Sequence, residues 1–93
     1  MHHAKRDALV YMPHFVYILK SLKDKSYYIG QTKNIQARLI KHNTGQSRFT
    51  KKKLPYKIIY VKSYKTRKEA IKREKEIKLY KGGNEFKKLI GLI

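Results

Sequence analysis

The sequence predicts an α+β domain: a small three-stranded antiparallel sheet flanked by helices, in the order β-β-α-β-α-α. Three observations predict it. Two short runs of β-branched and aromatic residues, Phe15–Lys20 and Tyr27–Gln31, are joined by a link too short for a parallel crossover, so they pair antiparallel. A third run of the same kind, Lys57–Tyr64, follows a basic loop. Between and after these runs the apolar spacing lengthens to three or four residues, the period of helices packed on a sheet.

The elements follow in order. Residues 1–13 read as an N-terminal appendage, expected to be flexible, and residues 14–93 as a single domain. His2 and His3 are residue types that bind copper or nickel, but at a chain end they read first as a ragged terminus. Leu22–Ser26 is polar, with Asp24 central, and makes the hairpin link. Folding the chain about that link brings Tyr17 and Tyr28 opposite one another to within about a residue, close enough for side-chain contact. Thr32 or Asn34 caps a helix over Ile35–Asn43, which ends at Gly45, and its Ile35 and Leu39 face the core. Arg38 and His42, four apart, share one edge of it. Gln46–Tyr56 is a basic loop. Thr66-Arg67-Lys68-Glu69 is a capping box that opens a helix running to Tyr80, with Gly82 and Gly83 as its stop. Asn84 is expected to cap a last short helix over Glu85–Ile90.

Composition narrows the function classes. Twenty-four Lys and Arg stand against six Asp and Glu, a formal charge of +18 on 93 residues. Self-repulsion on that scale is tolerated where a polyanion neutralises it, and nucleic acid is the expected partner. No apolar run nears the ~20 residues of a membrane span, and no long helix sets a basic face against a clean apolar one, so no membrane partner is expected. The chain has no cysteine, which excludes a disulfide-linked partner and a thiolate metal site. Residues 1–13 lack the apolar core of a signal peptide, so the cytoplasm is the expected compartment.

Certain residues carry chemistry. Glu74 lies in the apolar stripe of the long helix with Ala70, Ile71, Ile77 and Tyr80. A carboxylate there needs a partner. It is either ion-paired with a nearby base or one ligand of Mg²⁺, which often uses a single carboxylate completed by water and phosphate. The two readings stand level. Glu69 is consumed by the cap. Tyr17 and Tyr28 make either an ordinary cross-strand aromatic pair or part of a site. His42 at a helix C-terminus is either a dipole-stabilised cation or a site residue. For nucleic-acid contact the candidates are Gly30, Lys33, Arg48, Phe49, Lys51, Lys52 and Lys53, combining phosphate-binding cations with one stacking ring.

These residues together resemble a known family. Phe15-Val16-Tyr17 and Tyr28-Ile29-Gly30, with GQTKNIQARLIKHNTG and TRKEAIKREKEIK beyond them, are similar to the motifs of the GIY-YIG endonuclease domain. The overall look is nearest to small bacterial single-domain proteins related to the nuclease domain of the excinuclease C subunit. The resemblance spans residues 14–91, with Phe15 where the family name has glycine. It implies a metal-dependent endonuclease acting on DNA, in repair or recombination. It implies Tyr17 as general base for the attacking water, Tyr28 as a positioner of water or phosphate, and Arg38 as the clamp on the scissile phosphate. It further implies His42 as an orienting residue and Glu74 as the ligand of one Mg²⁺ or Mn²⁺. Asn84 falls near a polar position of some members, and Gln31 stands where several relatives carry lysine. A free tyrosine titrates near ~10, too high for a base, so the cations of this chain are expected to lower Tyr17. The rival reading is a basic DNA- or RNA-binding module of the same fold without turnover, including a ribosome-associated one.

Overall fold

A computed structural model describes residues 13–47 and 51–91. Except for Pro13, the expected N-terminal appendage with His2 and His3 lies outside the described residues, as do Arg48 and Phe49.

The chain folds as β1 (His14–Ser21), β2 (Tyr27–Thr32), α1 (Ile35–Asn43), a 3₁₀ turn (Lys51–Lys53), β3 (Tyr56–Tyr64), α2 (Arg67–Tyr80) and α3 (Asn84–Leu89). The expected architecture is therefore present: one antiparallel three-stranded sheet with helices, in order β2-β1-β3. β1 takes the centre because it is apolar on both faces. Val16 and Ile18 point one way and Tyr17 and Leu19 the other, and none of the four exceeds 2% exposure. The first face packs with Ile29 against Ala70 and Ile77 of α2 and Phe86 of α3. The second packs with Tyr56 against Ile35 and Leu39 of α1. Two half-cores thus share one central strand, and the aromatic site residues belong to the second. Among the described residues no helix is long and apolar enough to cross a membrane.

The hairpin register differs from expectation by two places. Tyr17 pairs with Gly30, and Tyr28 pairs with Leu19. The turn sets this: the Ser21 amide bonds the Ser26 carbonyl at 2.8 Å, and Lys20 pairs with Tyr27 just outside it. Ser21 Oγ accepts from the amides of Lys23 and Asp24, both at 3.1 Å. A shift of two keeps both tyrosines on one face, since side chains alternate with period two. Their rings meet diagonally, centroids 6.3 Å apart.

Both long-helix caps form as the residues dictate. Asn34 accepts from the Ala37 amide at 3.0 Å. Thr66 accepts from the Glu69 amide at 3.1 Å while the Glu69 carboxylate accepts from the Thr66 amide at 3.2 Å. Gly45 takes φ +77°, the left-handed turn that releases α1 into the basic loop. The last helix departs from expectation. Gly83 is its cap residue, no side chain caps it, and Asn84 is its first helical residue. The Gly82-Gly83 turn bends the chain into the helix, so an asparagine cap is not required.

Candidate active site

Tyr17 sits at the middle of the central strand, 2% exposed. Its ring lies across β2 over Gly30. A Cβ on Gly30 would stand 2.6 Å from Tyr17 Oη, 2.8 Å from Cζ and 3.1 Å from Tyr28 Cε2. Glycine is required here by close approach, not by backbone conformation. Gly30 is itself buried, so its evident work is to seat Tyr17. Gly30→Ala is expected to cost about 1–3 kcal/mol of stability by overpacking, read as a lower urea midpoint. Adding Tyr17→Phe removes the nearest clashing atom and should recover part of the loss. A Gly30→Ala variant as stable as the parent would mean the ring does not lie there.

His42 is brought to Tyr17 by the last turn of α1, with Nε2 3.2 Å from Tyr17 Oη. The imidazole is 1% exposed and packs between Tyr28, at 4.8 Å between centroids, and Tyr56, at 6.1 Å. Burial lowers its pKa, and the charges of Arg38 and Lys41 lower it further. Both effects favour the neutral ring, against the reading of His42 as a dipole-stabilised cation. A neutral ring protonated on Nδ1 leaves Nε2 to accept from the Tyr17 hydroxyl.

Tyr17 does not ionise as expected. Burial pushes its phenol well above the usual tyrosine range, Tyr28 and Glu74 push the same way, and Arg38 opposes them. The cations of this chain sit mostly in solvent, while the phenol sits in a core where the charged form is poorly solvated. Tyr17 is therefore a protonated phenol at neutral pH, hydrogen-bonded to a neutral histidine.

Glu74 projects from α2 between the fully buried Ala70 and Ile77. Its side chain is 17% exposed, and its carboxylate accepts from Lys78 Nζ at 2.7 Å. The ion pair foreseen for this residue is thus present. The same carboxylate lies close enough to bear on Tyr17. Among the described residues no three His, Asp, Glu or Cys side chains gather to hold a metal. Glu74 alone still suits a hard divalent ion that takes its other ligands from water and a substrate phosphate.

Arg38, half-buried one turn before His42, lines a cleft of about 400 Å³ together with Lys33. That cleft does not include Tyr17, Tyr28, His42 or Glu74; it neighbours Tyr17 and His42 through Arg38, whose charge reaches both. Lys51, Lys52 and Lys53 form an exposed turn tied to the hairpin link. Ser21 Oγ donates to the Lys53 carbonyl at 2.7 Å, and Lys53 Nζ lies 3.6 Å from Asp24. Asn84 is exposed. Two contributors were not visible in the sequence. Tyr56 walls His42 and is clasped by Asn43, whose Oδ1 accepts from the Tyr56 amide at 2.7 Å and whose Nδ2 donates to its carbonyl at 3.1 Å. His14 is buried at the start of β1, one residue before the expected strand. Tyr56 had one signal, its position directly after Pro55 at the mouth of the third strand.

Comparison with known proteins identifies the family and the fold. Residues 13–87 match the family described as "GIY-YIG catalytic domain". A UPF0213 protein of Staphylococcus epidermidis is 48% identical over 68 residues, covering 72% of this chain and 82% of that protein. A UPF0213 protein of Staphylococcus aureus matches with the same identity and coverage. The solution NMR structure of a UPF0213 protein from Bacillus halodurans superposes with a TM-score of 0.55 at 30% identity, covering 87% of this chain and 85% of that one.

Proposed function

Because this chain belongs to the GIY-YIG family, we propose that it is a divalent-metal-dependent endonuclease hydrolysing phosphodiester bonds of DNA, working in the cytoplasm in repair or recombination. The observation that carries the reading is the buried hydrogen bond between the Tyr17 hydroxyl and His42 Nε2.

That bond answers the difficulty raised by Tyr17. A phenol held well above its ordinary pKa is a poor store of phenolate, but it can relay a proton. As water attacks phosphorus, its proton passes to Tyr17 Oη while the phenolic proton passes to Nε2 of neutral His42. The water oxygen bonds to phosphorus, the bond to the leaving oxygen breaks with its electron pair going to that oxygen, which takes a proton from solvent water, and His42 ends as imidazolium. No free phenolate is needed at any point. Tyr28, packed at a tilt against both rings, positions water or phosphate. Arg38 offers a planar fork of donors to the phosphate oxygens as their charge grows. Glu74 would hold one Mg²⁺ or Mn²⁺, which when bound supplies charge neutralisation at the phosphate and a more acidic water. Lys78 must then release the carboxylate.

One observation favours the rival, a binding module without turnover: Glu74 already has a partner in Lys78. A cleavage assay on plasmid, duplex and branched DNA, with Mg²⁺ or Mn²⁺ against EDTA, separates the two. Metal-dependent cutting is expected, and Tyr17→Phe should keep the ring over Gly30 and bind DNA while slowing cleavage by about 10²–10⁴. Normal turnover in Tyr17→Phe removes the relay. Salt-sensitive binding without cutting on every substrate transfers the assignment to the binding module.

A further inference from the structure

The cleft beside Arg38 has a feature that the proposed chemistry leaves unused. His14 forms part of its wall, is 9% exposed, and neither ring nitrogen has a hydrogen-bond partner among the described residues. Buried polar atoms are almost always satisfied, so an unpaired imidazole calls for a missing partner. The rest of the wall indicates its charge. Lys33, Arg38, Lys41 and Arg67 line the cleft, and among the described residues its lining contains no carboxylate. None of the four cations is in a salt bridge among the described residues, whereas Lys53, Arg73, Lys78 and Lys88 each are. Helix α1 opens onto the same space at Asn34 and Ala37 with no acidic residue in its first turn, presenting the positive end of its dipole.

Topology explains how these groups meet. His14 shares its sheet face with Val16 and Ile18, the face covered by α2, whose first residue is Arg67. Lys33, Arg38 and Lys41 come from α1 and the turn before it, which cover the other face. The cleft therefore lies at the end of the sheet where the two layers converge. Arg67 is also misplaced for helix stability, since a cation at a helix N-terminus opposes the dipole. Among the described residues no Phe or Tyr ring lines the cleft, so they offer no platform there for stacking a base.

We infer that this cleft seats a second phosphate group of the nucleic-acid strand whose scissile phosphate Arg38 holds, with His14 and Arg67 as its dedicated ligands. The inference rests on the proposed nuclease reading for the neighbouring phosphate only. A guanidinium has donors enough to serve two phosphates, so Arg38 stands between the seats. The seat fixes strand path without reading sequence, because phosphate contacts position and base contacts specify.

The test is fluorescence anisotropy of a short single-stranded oligonucleotide, with and without a 5′-phosphate, across a salt series in EDTA. Arg67 is exposed, so Arg67→Gln is expected to fold normally. It should weaken binding by about 5–10-fold and lower the slope of log affinity against log salt by about 0.7–1. His14→Phe removes both unsatisfied nitrogens and should weaken binding without lowering the Tm, a combination that a purely structural histidine does not give. Equal losses with both oligonucleotides assign the seat to an internal phosphodiester. Loss of an affinity gain that only the 5′-phosphorylated strand enjoys assigns it to a terminal phosphate. Parental affinity and slope in both variants overturn the proposal. Because EDTA removes turnover, that outcome is distinct from a failure of the nuclease reading, which shows only in the cleavage assay.

Discussion

Glu74→Ala is expected to abolish metal-dependent cleavage, lowering kcat by at least about 10³, while the protein stays folded. The lost contact is the ion pair with Lys78, of the i,i+4 kind, and such pairs contribute about 0.3–0.5 kcal/mol. Removing a carboxylate from between Ala70 and Ile77 also relieves its desolvation, so the net change in stability should be small. The informative companion is Lys78→Met. If Glu74 serves mainly as a partner for Lys78, the two variants should be equally impaired. If Glu74 is the metal ligand, Lys78→Met keeps cleavage and binds Mn²⁺ at least as tightly, because the competing ammonium is gone. Mn²⁺ titration by calorimetry or electron paramagnetic resonance checks this without relying on turnover. Glu74→Ala should lose more than roughly 100-fold in Mn²⁺ affinity, since even changes outside the ligand shell cost 10–100-fold. Unchanged Mn²⁺ affinity in Glu74→Ala, with Lys78→Met inactive, would leave the carboxylate a structural partner.

Arg38→Ala is expected to lower cleavage by about 10³–10⁵, the range found when a phosphate-stabilising arginine is removed. Two losses combine. The phosphate loses its bidentate donor, and the relay loses a charge that opposes the burial-driven rise of Tyr17 and adds to the burial-driven lowering of His42. The pH dependence separates them. His42 accepts the proton only when neutral, that is, above its pKa. Arg38 helps to depress that pKa, so removing it raises the pKa and moves the acid limb of the residual pH–rate profile to higher pH. Arg38→Lys restores a positive charge but not the fork of donors, so it should return the acid limb toward its original position without restoring the rate. A lysine variant with the parental rate would mean that charge alone suffices.

Much of the fold was legible because its determinants are local. The Thr66–Glu69 capping box, the Asn34 cap, the Gly45 turn and the β-branched strands each depend on residues within a few positions of one another, and they formed where the chain signalled them. The helix edge carrying Arg38 and His42 was legible for the same reason. The register of Tyr17 and Tyr28 was not, because the hydrogen bonds of Ser21 and Asp24 in the turn decide it, and a two-residue slip leaves the face pattern unchanged. The proposed cap at Asn84 failed because two glycines already supply the bend. Glu74 was legible as a carboxylate in need of a partner, but among so many bases only the folded chain shows that the partner is Lys78.

The residues alone, then, determined an α+β chain of this element order, a large positive charge, and the residue types of a candidate reaction centre. These follow from periodicity, capping chemistry and composition, all of which act over short stretches. Tertiary structure decided that β1 is the shared centre of two half-cores. It thereby placed a tyrosine in the core, where burial raises its pKa, beside a histidine whose pKa burial lowers. It also left His14 without a hydrogen-bond partner among the described residues, at the convergence of two layers. Desolvation is a property of how distant segments close over a side chain, and no local pattern records it.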